Sequence, residues 1–229
     1  MKWLRNNWQE IPGLVANHVT LSIPAIVFSV IIAVPIGRLA HKRRLIGGPV
    51  LGIASLLYAI PSLPLIIAIL VLTGLSARSM WTMTIALTVY GVALLVRTSA
   101  DAFAAVDKNV HDAAVAMGHS GMSVFWRVDL PLAVPVLVSG IRVMTVSTVS
   151  LVTVGALVGQ SGLGWLLTNG FQRGIAAEVA TGVIATALLA VILDGLVMVA
   201  GRLLTPWTVR RHRRGKPARV TRRSRGALA

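Results

Sequence analysis

Few residues in this chain have the type and spacing to do covalent chemistry. There is no G-x-x-x-x-G-K-[ST] phosphate loop, no G-x-S-x-G nucleophile elbow and no H-E-x-x-H zinc pair. His18 stands alone in an apolar stretch, and His111, His119 and His212 lie in polar segments with no third donor at metal-ligand spacing. The absence of cysteine excludes disulfides and thiolate metal sites. No catalytic residue, metal or cofactor is therefore expected. The remaining candidates suit binding and transmission. Arg142 and Asp194 lie deep in apolar stretches, where ionisable groups are functional suspects. Either they pair and hold two helices in register, or Arg142 reaches toward the boundary while Asp194 faces a wet cavity. Tyr58 and Tyr90 are also in apolar stretches; aromatic faces attract quaternary ammonium groups, and packing with a satisfied hydroxyl is the plainer account. Finally, Asp112-Ala113-Ala114 is followed after three residues by Gly118, after nine more by Val128, and then by Leu130-Pro131, all in a polar segment.

The elements that position these residues follow from the charge pattern. Of 229 residues 55% are hydrophobic and 13% charged, about half the charged share of a soluble domain. No Asp, Glu, Lys or Arg occurs in 11–37, 45–77, 79–96 or 143–172. A bilayer crossing needs roughly 20 mainly apolar residues. The pattern predicts an all-α integral membrane protein with about five transmembrane helices, at 14–38, 50–73, 79–97, 133–158 and 179–204. Residues 1–13 form a short polar entry, 14–206 the membrane domain, 98–132 a polar loop between helices 3 and 4, and 207–229 a basic tail. The first segment is too long for a signal peptide and lacks a small-x-small cleavage site, so it reads as a retained helix.

The net charge of +15 would suggest nucleic acid in a soluble protein; here topology explains it better, and no nucleic-acid partner is expected. Arg38, Lys42, Arg43 and Arg44 follow the first span, and nine Lys or Arg between 210 and 225 follow the fifth, whereas the alternate loops carry only Arg78 and Arg173. Positive loops face the cytoplasm. The N-terminus is therefore expected outside and the C-terminus inside, which puts 98–132 inside. Trp3, Trp8, Trp81 and Trp165 then fall near outer boundaries, with Trp126 and Trp207 near the inner one. The tail has the composition of a disordered segment, and either binds anionic membrane lipid or serves as a solvated topology anchor.

Within the second span, Pro61 and Pro64 each remove a backbone donor and should kink or break the helix. Broken helices line substrate paths in transporters, so Tyr58, Pro61, Ser62, Pro64 and Tyr90 are candidate path residues. In the polar loop, Asn109 can cap a helix starting near Val110, Gly118 fits a helix end, and Pro131 restarts the chain toward span four. Glycines 155, 159, 162, 164 and 170 cluster at the outer end of that span, as a gate or as plain helix packing.

The spacing from Asp112 to Pro131 resembles the EAA loop of ABC importer permeases, with Asp for the usual Glu and Val for the usual Ile. The resemblance extends over about 14–205. Ile60-Pro61-Ser62-Leu63, Arg97, Val106-Asp107, Gly140-Ile141-Arg142 and the imperfect Gly159-Gln160-Ser161-Gly162-Leu163-Gly164 resemble the osmoprotectant subfamily. The resemblance implies a methionine-permease-like fold in a bacterial inner membrane. It implies an ABC ATPase subunit contacted by Asp112, Ala113, Ala114, Gly118, Val128, Leu130 and Pro131, a second permease subunit, and an extracytoplasmic substrate-binding protein. It also implies uptake of glycine betaine, choline or carnitine, with ATP hydrolysis in a separate subunit. The alternatives are the same fold importing an amino acid such as methionine, an ATP-independent channel, or, least favoured by the missing motifs, a membrane enzyme.

Overall fold

The computed structural model describes residues 2–209, which form helices joined by short turns, with no strand among the described residues. A helical entry over Lys2–Asn7 and Trp8–Glu10 leads into α1 (Ile11–Lys42), followed by α2 (Arg44–Ala59) and α3 (Ser62–Thr73). Then come α4 (Met80–Ala104), the short α5 (Lys108–Ala116), α6 (Leu130–Val154), α7 (Gly164–Gln172) and α8 (Ala176–Leu204). The helical runs Trp3–Lys42, Met80–Ala104, Gly121–Val158 and Ala176–Leu204 are each long and apolar enough to cross a bilayer.

The segment expected as one span over 50–73 is two helices bent by 105°. The cause is local. Ile60 precedes a proline and is driven into extended backbone, φ −66° and ψ 127°. With Ile60 and Pro61 both extended, the Ile60 carbonyl falls outside the helical ladder, and the Tyr90 hydroxyl from α4 donates to it instead. A bent pair of this kind can count as one span, giving five.

Helix α4 is the axis of the bundle: 61% of its most apolar stretch is buried, against 17% for α8. Small residues let its neighbours approach. Gly37 of α1 lies against Ser99, Gly91 of α4 against Ser29, and Gly140 of α6 against Thr98, so a Cβ at any of the three would collide. With no hydrophobic drive between helices in lipid, such close contact supplies the attraction. Leu65, Ile66 and Ile69 of α3 join Met83 and Leu87 in one core cluster, while Ala54 of α2 joins Leu95 and Met144 in another.

Two expectations are corrected. Pro131 does not restart the chain: the helix is continuous from Gly121, passing through a π-helical stretch at Phe125–Asp129 into α6. Pro131 lacks the donor for a regular turn, and the Leu130 amide closes the wider turn on the Phe125 carbonyl. Residues after 158, expected as loop, include α7, whose glycine-rich approach hid its helical character. The basic tail expected over 207–229 lies outside the described residues from 210 onward.

Candidate functional site

The polar segment between α4 and α6 is folded around α5. Asp107, not Asn109, caps this helix: its carboxylate accepts from the Asn109 amide at 2.8 Å, and α5 starts at Lys108. At the other end Gly118 is left-handed, φ +85°. The Gly118 amide bonds the Val115 carbonyl at 2.9 Å and the His119 amide bonds the Ala114 carbonyl at 3.3 Å. This paired closure is the Schellman stop, which selects glycine because a Cβ disfavours that backbone. Ser120 starts the next helix by accepting from the Ser123 amide at 3.3 Å.

Two contacts fasten this loop to the bundle. His111 of α5 donates through Nδ1 to the Asp129 carboxylate at 2.8 Å, in the π-helical stretch. The Arg38 guanidinium, near the end of α1, lies 3.6 Å from the Phe125 ring centroid. Phe125 also packs against Phe103 and Trp126. Sequence reasoning did not single out either contact as a link, since partners 18 and 87 residues apart leave no periodic signal.

The structure divides the expected coupling residues into two sets. Ala114 is buried, and Leu130 packs in the cluster of Phe103 and Phe125. Val128 and Pro131 are half-buried. Asp112, Ala113 and Gly118 face outward. Around them Val110, Val115, Met117, Met122 and Trp126 are exposed, Met117 to 74%. Exposed apolar side chains are thus concentrated on one polar loop.

The candidate path residues lie near the bend. Tyr58, Pro61 and Pro64 are exposed and Ser62 is half-buried. Tyr90 is buried, edge-on to Tyr58 with ring centroids 6.2 Å apart, and its hydroxyl is spent on Ile60. Arg142 and Asp194 are brought together. Arg142 Nε donates to Asp194 Oδ1 at 2.8 Å and Nη2 to Oδ2 at 2.7 Å, a bidentate pair joining α6 to α8.

The opposite end of the bundle contains buried polar contacts that the sequence did not reveal. His18 is fully buried; Nδ1 accepts from the Leu163 amide at 3.3 Å, so Nε2 carries the proton and donates to the Val149 carbonyl at 3.0 Å. Gln160 Nε2 donates to the carbonyls of Ala77 and Ser79 at 2.8 and 2.9 Å. Asn169 donates to buried Glu178 at 2.5 Å. Gly155 and Gly164 make close packing contacts, while Gly159 adopts φ +84°.

A helical bundle of this length, with an interrupted second span and a structured loop between its central helices, has the architecture of a membrane permease subunit. The chain belongs to the family described as binding-protein-dependent transport system inner membrane component, which it matches over residues 25–210. It is similar to the choline transport system permease protein OpuBB of Bacillus subtilis, 27% identical over 206 residues, covering 90% of this chain and 94% of the relative. It is likewise similar to the osmoprotectant import permease protein OsmW of Salmonella typhimurium, 29% identical over 214 residues, covering 91% and 98%. A solved structure of the MetNI methionine ABC transporter in an inward-facing conformation shares the fold, with TM-score 0.70 and 24% identity, covering 85% of this chain and 94% of that one. The chain is an ABC importer permease, an inner-membrane component that works within a transporter complex.

Proposed function

We propose that this chain forms half of the translocation path of an importer for a quaternary-amine osmoprotectant such as glycine betaine, choline or carnitine. An ABC ATPase docks under α5, a second permease subunit completes the path, and an extracytoplasmic binding protein delivers the solute. With five crossings, the N-terminus lies outside, and the C-terminus and α5 lie in the cytoplasm, as the Lys and Arg distribution requires. ATP binding closes the ATPase pair; α5 moves with it, and the helices rock between inward- and outward-open states.

The observation that carries the coupling role is the exposed apolar ring of Val110, Val115, Met117, Met122 and Trp126 around a helix stopped by Gly118. A small stiff helix pinned by His111–Asp129 and Arg38–Phe125 can transmit a push to α6 and α1. The substrate class is supported by the relatives, among them the glycine betaine/carnitine/choline transport system permease protein OpuCB of Bacillus subtilis, 27% identical.

The test is co-purification of the permease with its ATPase, comparing wild type with Gly118→Asp. Aspartate tolerates left-handed backbone better than most residues, so the helix end survives while a charge enters the docking face. Wild type should retain the ATPase and the variant should release it while still running as a folded species. Equal retention by both would refute the docking role. Competition by glycine betaine, choline, carnitine and methionine for labelled uptake then separates the osmoprotectant reading from an amino-acid importer.

A further inference from the structure

The Arg142–Asp194 pair does more than join two helices. Arg142 lies 12 residues into α6, about 18 Å along the axis, and Asp194 lies ten residues from the end of α8, about 15 Å along it. Both are therefore within the hydrocarbon layer. Yet the two side chains are 40% and 24% exposed, and they open onto a groove of about 520 Å³ lined by Ser139, Val143, Val146 and Ser147. Lipid tails would leave this exposed charge without solvation, so the groove must face water or another protein surface.

The donors and acceptors point to a particular occupant. Two of the five guanidinium N–H groups of Arg142 are used on Asp194, which leaves donors for a second carboxylate. Each Asp194 oxygen accepts one bond from Arg142 and keeps lone-pair capacity. A quaternary ammonium has no N–H to donate; it needs a nearby anion and an apolar surface for its methyl groups. Val143 and Val146, 59% and 39% exposed, supply that surface beside Asp194.

We propose that Arg142 and Asp194, with Val143 and Val146, form a recognition subsite in the translocation path for zwitterionic quaternary amines. Arg142 takes the carboxylate and Asp194 with the two valines takes the trimethylammonium group. A zwitterion adds one charge of each sign, so the site stays neutral whether empty, with the pair closed, or occupied, with each partner facing the solute. A singly charged cation cannot do this, because it leaves Arg142 or itself uncompensated at membrane depth. The subsite thus favours glycine betaine and carnitine over choline. This rests on the osmoprotectant reading above.

The experiment uses the complete transporter, with ATPase, second permease subunit and binding protein, in lipid vesicles, and measures import of labelled glycine betaine and labelled choline. Arg142→Gln should lower the ratio of glycine betaine to choline import at least tenfold, because it removes the carboxylate partner and leaves an anion that accepts a cation. A pair that only held α6 and α8 in register would depress both solutes alike. The double variant Arg142→Gln with Asp194→Asn keeps a hydrogen-bonding side-chain pair without charge; it should still co-purify with the ATPase and the second permease subunit while glycine betaine import falls at least tenfold. An unchanged import ratio in Arg142→Gln, or full glycine betaine import by the double variant, overturns the proposal alone. Loss of the second permease subunit from the double variant overturns it too, making the face an assembly interface. Failure of wild type to import either solute, with another solute imported, overturns the osmoprotectant reading and the subsite with it.

Discussion

The two ends of this bundle solve opposite problems. At the α5 end, apolar groups face out and the chain is closed by its own short-range bonds: the Asp107 cap, the Gly118 stop and the Ser120 cap. At the other end, polar groups face in and bind partners far away in sequence: His18 to Val149 and Leu163, and Gln160 to Ala77 and Ser79. A segment closed by local bonds, and pinned to the bundle on its inner side by His111–Asp129 and Arg38–Phe125, keeps its shape while its outer surface stays free for a partner. A segment stabilised by long-range buried bonds has no such freedom, because each bond broken leaves an unsatisfied group inside. The difference teaches that one end leaves its apolar surface open, as the proposed docking requires, and the other is sealed from within.

The sharpest way to break that contrast is His18→Ala. The change removes a fully buried ring, leaves the Leu163 amide without its acceptor and opens a cavity between α1, α6 and the approach to α7. The cost expected is about 3 kcal/mol of stability, with retention of the ATPase by the surviving folded protein unchanged. A thermal melt in detergent, followed by size-exclusion chromatography, reads it; an unaltered melting temperature would show that this end is not sealed through His18. Trp126→Ala should behave in the opposite way. Trp126 is 60% exposed, so the fold loses little, but on the proposed docking face a large aromatic would be a strong anchor. ATPase affinity should fall roughly thirtyfold, about 2 kcal/mol, with the melting temperature nearly constant. A variant that lost stability instead would place Trp126 with the core.

These opposite behaviours explain how much the sequence disclosed. The α5 end was legible because its rules are local: a glycine after an alanine-rich helix stops it, whatever the rest of the chain does. Even there, the residue types pointed to Asn109 as the cap, and the backbone geometry put the cap at Asp107. The size of the bend at Ile60, 105°, was hidden because sequence reports a missing donor but not the angle its neighbours will accept. At the sealed end little could be read. His18 stood alone in sequence because its partners are 131 and 145 residues away, and Gln160 looked like a departure from a glycine motif when it is in fact a clamp on the α3–α4 turn. Arg142 and Asp194 were singled out through burial cost, with pairing as one of two readings; their bidentate geometry depends on the facing of two helices that no local rule sets.

Between the ends lies the bend itself, and its smaller effect tests to which half it belongs. Tyr90→Phe removes only the hydroxyl that serves the Ile60 carbonyl, so about 1 kcal/mol should be lost. The loss arises because Ile60 and Pro61 are both extended, which keeps that carbonyl outside the helical ladder of α3. Pro64→Ala leaves Pro61 and this backbone in place, so in a double-mutant cycle the Tyr90→Phe penalty should persist in the Pro64→Ala background, with a coupling near zero. If it does, the hydroxyl is part of the scaffold, the bend belongs with the sealed region, and Tyr58 alone keeps an aromatic face free near the path. If the penalty instead appears in solute import with stability untouched, the Tyr90 hydroxyl is released during the cycle, and the bend moves with α5.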